Sequence, residues 1–154
     1  MEDAAAATFR PTWQQALGRG LYLGSLTAIG VLIVTAVLTS PGLVWLAALA
    51  GPTAAGGLIG VFVGRFTGTQ VSARGIRTVS VFNGGVATWN EVVDLRAERR
   101  GGRTVVSVYL DSGASVQLQA PYSGGLFAAD PKFEGKMFAL SHLWRSHRFG
   151  GLPG

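Results

Sequence analysis

Residues 20–64 read GLYLGSLTAIGVLIVTAVLTSPGLVWLAALAGPTAAGGLIGVFVG, and none of them is Asp, Glu, Lys, Arg or His. Thr39-Ser40-Pro41-Gly42 interrupts the stretch near its middle and leaves an apolar run on each side. A bilayer core about 30 Å thick is crossed by roughly 20 apolar helical residues. Each run supplies about that many, so the sequence predicts a transmembrane hairpin with helices at about 20–39 and 43–64. A signal peptide fits poorly. Its apolar core runs to roughly 7–15 residues, whereas the first run here extends from Leu21 to Leu38 and a second follows at once.

The flanks give the hairpin a direction. Arg10 and Arg19 precede the first span, Arg65 and Arg74 follow the second, and the connecting turn is uncharged. The positive-inside rule then places both ends in the cytoplasm and the Pro41 turn outside. The expected organisation is an N-terminal cytoplasmic segment (1–19), the hairpin (20–65), a cytoplasmic domain (66–149) and a flexible tail (150–154). Residues 1–8 contain an Ala run without turn or core pattern and are expected to be disordered. Residues 11–17 can start a short helix, with Trp13 and Leu17 on one face and Trp13 at headgroup level.

Small residues within the spans form rows. Gly20, Gly24 and Ala28 recur every four positions in the first helix, and Gly56, Gly60 and Gly64 do so in the second. Such spacing lets helix backbones approach closely where lipid offers no hydrophobic drive for association. The predicted seam pairs Gly20 with Gly64, Gly24 with Gly60, and Ala28 with Gly56. Homo-oligomerisation through one row is the alternative use. Pro52 should kink the second span, with Thr53 covering part of the lost bonding. No ionisable residue lies at membrane depth, which leaves a proton relay or charged pore lining nothing to work with.

The rest of the chain has a different character. All of the net charge of +5 belongs to the chain from Arg65 onward, because the four charges before the first span cancel. A basic domain tethered to a bilayer is drawn to anionic headgroups, at about 1 kcal/mol per Lys or Arg near the surface. There is no cysteine, which excludes disulfides, thiol nucleophiles and thiolate metal sites. Apolar runs give way to alternation after Phe66. Short strands are predicted at 69–73, 76–82 and 86–89, the last continuing through an irregularity at Asn90-Glu91 to Val92, Val93 and Leu95. Further strands follow at 104–110 and 114–118. Turns are read at Ala73-Arg74-Gly75, Asn83-Gly84-Gly85, Arg99 to Gly102 and Asp111-Ser112-Gly113. This is a meander of five or six antiparallel strands. Residues 121–129 read as a loop. Asp130 then looks like an N-cap, with Pro131 at the first helical position and Glu134 in a capping box. Phe133, Met137, Leu140 and Trp144 share one face of the helix that follows, which Gly150-Gly151 should end. That helix closes one end of a bent sheet.

The order of these features resembles the bacterial pleckstrin-homology (PH) domains of actinobacterial membrane proteins. The residues that carry the resemblance are Gly75-Ile76, Trp89-Asn90-Glu91-Val92, Leu110-Asp111-Ser112-Gly113, Leu118-Gln119-Ala120-Pro121 and Trp144, after the apolar hairpin. It implies a transmembrane hairpin followed by a PH-like antiparallel barrel or bent sheet closed by one C-terminal helix, with Trp89 in the core. It brings a fold and a location, not an activity. Eukaryotic PH domains that read phosphoinositides place several basic residues across the first strand hairpin. Here that hairpin offers only Arg74 and Arg77, so specific inositol-phosphate recognition does not carry over.

Arg96, Arg99, Arg100 and Arg103 surround a Gly-Gly turn and form the densest charge cluster, a candidate clamp for anionic lipid. The bland reading of the cluster is a solvated hairpin tip. Nucleic acid would need exposed aromatics interleaved with the basic face, and the aromatics here look committed to the core. His142 and His147 are five apart, on different helix faces, and no acidic pair stands beside them at ligand spacing, so no metal is expected. Ser123, His142 and Asp130 make a chance grouping with no nucleophile elbow. No phosphate-binding glycine spacing occurs, and neither a cofactor nor an enzyme activity is expected. The sequence points to a membrane-anchored interaction module at the cytoplasmic face of the plasma membrane, binding a protein partner, anionic lipid or both. The alternative is a subunit of an oligomeric membrane assembly packed through glycine.

Overall fold

The structure, a computed structural model, describes residues 7–79 and 85–149. The expected turn at Asn83-Gly84, the helix stop at Gly150-Gly151, the tail at 150–154 and the first six residues lie outside the described ones. Thr12–Gly64 forms one compact unit, and the described residues on either side of it form the other.

The first unit is a helical hairpin. Helix α1 spans Trp13–Leu38 and α2 spans Leu43–Gly64, so the break falls at 39–42 as the sequence indicates. Helix α1 begins seven residues earlier than expected because Thr12 caps it. The Thr12 hydroxyl accepts from the Gln15 backbone N–H at 3.3 Å, and the Gln15 side chain accepts from the Thr12 N–H at 2.9 Å, a reciprocal capping box. At 1.5 Å per residue, 26 and 22 residues reach about 39 and 33 Å. Only 11% of the most apolar stretch of each helix is buried, with Leu26, Ile29, Ile33 and Val37 of α1 and Leu46, Leu58, Ile59 and Phe62 of α2 facing outward. The core helix of a water-soluble domain would hide these side chains. Pro52 lies inside α2, which remains helical across it. The Thr53 hydroxyl donates to the Leu49 carbonyl at 2.8 Å. It does not replace the bond to the Ala48 carbonyl that the proline nitrogen cannot make.

The second unit contains seven strands among the described residues, more than the five or six expected. Strands β1 (Ala7–Phe9), β2 (Gly68–Ser72), β3 (Gly75–Val79) and β4 (Gly85–Thr88) form one antiparallel sheet in that order. Strands β5 (Val92–Arg100), β6 (Arg103–Leu110) and β7 (Ser115–Gly124) form another. The additional strand is β1. Its residues, read partly as disordered lead-in, pair as Ala7 with Val71, Thr8 with Gln70 and Phe9 with Thr69. Phe9 enters the core at 8% exposure. The reason is non-local. β1 has no partner until the chain has run through the whole hairpin and returned as β2.

The chain passes between sheets at Trp89-Asn90-Glu91. Glu91 closes this corner by accepting from the Thr88 N–H at 2.8 Å and the Thr88 hydroxyl at 2.9 Å. The two hydrogen bonds hold its carboxyl below the ordinary carboxylate range, the backbone one contributing most. Trp89 is buried and donates its indole N–H to the Ser72 carbonyl at 2.9 Å. Both sheets feed one core: Phe9, Val71, Ile76 and Ala87 from the first meet Leu95, Val106, Val108, Leu118 and Ala120 from the second.

The region read as a loop after Leu118 differs. β7 continues through the cis Ala120–Pro121 bond to Gly124. Its pairing with β6 is broken between Val105 and Ser107, and proline, which has no N–H for the ladder, sits in that interruption. A 3-10 turn at Leu126–Ala128 precedes helix α3, Phe133–Arg148. The expected capping box is absent. Glu134 stands four residues after Asp130, one too many, and Lys132 occupies the cap without a side-chain bond. The buried Asp130 instead accepts from the Lys132 N–H at 2.9 Å and pairs with the Lys136 ammonium at 2.6 Å. Leu140 is fully buried in the core, with Phe133, Met137, Leu143 and Trp144 packed beside it. Arg148 pins the helix end by donating to the Val92 and Val93 carbonyls at 2.9 and 2.8 Å.

If β1 is part of this core, Phe9→Ala should destabilise the β unit by about 3 kcal/mol, within the usual range for truncating a buried aromatic. Thr8→Ala, on the exposed side of the same strand, should change it little. Denaturant titration followed by tryptophan fluorescence checks both.

Candidate functional site

Two groups of residues singled out by the sequence can be placed. The first lies between α1 and α2. A methyl group built on Gly60 would stand 2.5 Å from the Gly20 Cα and 2.6 Å from the Ala16 carbonyl oxygen. One built on Gly56 would stand 2.5 Å from the Gly24 Cα, and one on Gly24 would meet the Pro52 carbonyl oxygen at 2.6 Å. These are backbone atoms, which cannot swing aside, so both rows of small residues lie in direct backbone contact. The register differs from the expected one by a helical turn. Gly20 meets Gly60, Gly24 meets Gly56, and Gly64 meets Ala16. The cause is the turn: the helices end at Leu38 and begin at Leu43, so partners lie symmetrically about Ser40 rather than about Gly42. Ala28 continues the row, fully buried.

The second group is the β5–β6 hairpin. Gly101 and Gly102 turn the chain with φ of +56° and +77°, the left-handed pair that a two-residue hairpin requires. The four arginines around it are not equivalent. Arg96 pairs with Asp94 at 2.5 Å and lies over the Tyr109 ring. Arg100 pairs with Glu98 at 2.9 Å. Arg103 stacks over Tyr122. Arg99 is exposed and has no ion pair among the described residues. Asp94, Arg96, Glu98 and Arg100 alternate along one face of β5, where Glu98 is the hub. It accepts from the Tyr109 hydroxyl and from the Ser107 hydroxyl at 3.0 Å as well as pairing with Arg100. These bonds, the Tyr109 one foremost, hold Glu98 below the ordinary carboxylate range. The same bond pushes the Tyr109 phenol up, and the hydrogen bond to Asp94 raises Arg96. The tip therefore carries fewer unpaired cations than its sequence implies.

The β6–β7 register adds something that the sequence reading did not identify. Arg103 lies opposite Gly124, two residues before Leu126 and three before Phe127. Those two side chains are 94% and 54% exposed, so an apolar pair neighbours the basic tip. The cue was available as two large apolar residues in a Gly-rich segment, but their neighbour depends on a pairing across a broken ladder.

The remaining candidates do not assemble. The Ser123 hydroxyl accepts from the Asp130 N–H at 3.1 Å, Asp130 pairs with Lys136, and His142 tilts against Phe138. His147 stacks on Trp89 with ring centroids 5.3 Å apart. Among the described residues, no group of three His, Asp or Glu side chains could hold a metal ion. No family model, no curated protein and no solved structure matches the chain.

Two outcomes test this geometry. Gly56→Ala should weaken association of the two helices by about 1–3 kcal/mol, the usual cost of forcing atoms into a closed contact. Gly30→Ala, where an added methyl meets nothing within 4 Å, should be neutral. Reversible unfolding in detergent reads the difference. The Glu98 contribution to stability is present above the unfolded carboxylate pKa and lost as pH falls through the lower folded value. That of Tyr109 is present below about 10 and lost as pH rises through the raised folded value. In Tyr109→Phe, the loss of stability on acidification should therefore be smaller than in the wild type, and the alkaline loss should shrink too. Urea titrations across the pH range measure both.

Proposed function

We propose that this chain is a membrane-anchored interaction module. Its helical hairpin crosses the plasma membrane twice and holds a PH-like β domain at the cytoplasmic face, where the domain engages a protein partner, anionic lipid or both. The observation that carries the reading is the pairing of β1 with β2. These strands flank two helices whose outward surfaces are apolar. A segment that leaves one sheet and returns to it beside its point of departure must cross a membrane an even number of times. The flanking arginines, 10 and 19 before and 65 and 74 after, favour the cytoplasm for both ends.

Two antiparallel sheets sharing one core, with α3 packed on it, support the PH-like description. The lipid arm draws support from the hairpin tip, where Arg99 and the exposed Leu126-Phe127 pair combine charge with an apolar wedge. The protein arm draws support from β4, an edge strand carrying Val86 at 73% exposure, to which an extended segment can add. The glycine rows face each other within one chain, so assembly through those rows would have to break contacts that the hairpin already makes.

Because the chain has no cysteine, single reporters are clean. With an impermeant thiol reagent on intact cells, Ser40→Cys should label and Ser112→Cys should label only after lysis. The opposite pattern would overturn the orientation. Labelling of both on intact cells would overturn the double crossing.

A further inference from the structure

A concave site of about 210 Å³ opens in the β unit along β1, β2 and β3. Thr8, Arg10, Arg65, Thr67 and Gln70 contribute its polar wall. Among the described residues that line it, two are cationic and none is acidic, and neither Arg10 nor Arg65 forms an ion pair with any described residue. This contrasts with the hairpin tip, where Asp94 and Glu98 hold two of the four arginines.

The backbone shapes the concavity. Gly68 has no side chain where a Cβ would stand 2.6 Å from the Phe9 carbonyl oxygen and 3.3 Å from the Arg10 Cγ. The glycine thus lets β1 come close and lets the Arg10 stem lie across it. Thr8 and Gln70 are direct cross-strand partners, which puts a hydroxyl and an amide side by side on one face. Two guanidinium groups with hydroxyl and amide donors make a set suited to a phosphate, which guanidinium binds through paired charge-assisted hydrogen bonds.

Chain connectivity fixes the depth. Arg65 directly follows the last residue of α2, and Arg10 stands three residues before the first of α1. Both spans therefore deliver their flanking arginine to this one concavity at headgroup level. We propose that it binds the phosphate of an anionic glycerophospholipid in the leaflet on the domain side. This rests on the reading that the two helices cross a membrane. It places the phosphate contact at Arg10 and Arg65, which lie more than fifty residues apart in the sequence, beside whatever the arginine tip contributes.

The test uses the full chain in neutral detergent, incubated with phosphatidylglycerol or phosphatidylcholine, with retained lipid counted by native mass spectrometry. The wild type should hold one phosphatidylglycerol in preference to phosphatidylcholine. The double substitution Arg10→Gln with Arg65→Gln should lower its retention roughly thirtyfold, as expected for losing two cations near a headgroup. Lys132→Gln with Arg145→Gln, two exposed cations that line no part of the concavity, should leave it unchanged. The single variants Arg10→Gln and Arg65→Gln, each at an exposed position, should each show a partial loss if the double variant misfolds. Equal retention by wild type and double variant, equal retention of the two lipids, or displacement of the lipid by millimolar inorganic phosphate would each overturn the proposal, the last by assigning the site to free phosphate. Carbonate extraction of membranes from the same cells reports anchoring separately. A wild type released into the soluble fraction would defeat the membrane reading itself, whereas an anchored chain without selective lipid would defeat only this site.

Discussion

Phe9 and Thr69 sit opposite each other in one sheet, and this single pairing constrains everything between them. The insert of nearly sixty residues must begin and end at neighbouring points. Two helices of similar length with a four-residue turn satisfy that condition, provided that they run antiparallel and their axes stay close. The glycine contacts meet the second requirement. In lipid no hydrophobic effect draws the helices together, so close backbone packing must supply the attraction. The same pairing costs loop-closure entropy, which rises only slowly with the length of the loop. It is offset where Phe9 enters the shared core.

Local signals made much of this legible. The charge-free stretch, its break and the apolar face of α3 follow from composition and periodicity over short windows. What escaped depended on distance or on spacing by one residue. Ala7–Phe9 carries no strand pattern of its own and is defined by a partner some sixty residues away. The seam register hinged on the midpoint of the turn, where a two-residue error moves every pair by a full helical turn. Asp130 and Glu134 looked like a capping box but stand one residue too far apart, whereas Thr12 and Gln15 have the required spacing and make one. Proline at 121 argued for a loop because a regular ladder rejects it, and β7 accommodates it by breaking the ladder there.

The candidate sites show the same division. The pairing of Asp94 with Arg96 and Glu98 with Arg100 was readable, since residues two apart on a strand share a face. Counting the four arginines as one basic cluster missed it. Tyr109 and Ser107 reach Glu98 across the β5–β6 pair and could be found only once the hairpin register was known.

Charge density along the sequence is therefore a poor guide to where unpaired cations gather in this chain. Four arginines in eight residues are partly neutralised by Glu98 among them, by Asp94 just before them and by the aromatic faces of Tyr109 and Tyr122. Two arginines more than fifty positions apart share one concavity that no described carboxylate lines. Screening sharpens the difference. An exposed tip loses most of its reach within a Debye length of about 8 Å at physiological salt. On the proposed reading of the two helices as spans, a cation next to the end of one needs no reach, because the headgroup layer begins where the apolar helix stops. The β1–β2 pairing brings Arg10 and Arg65 together, so the strands that bracket the hairpin in the chain also assemble the concavity they share.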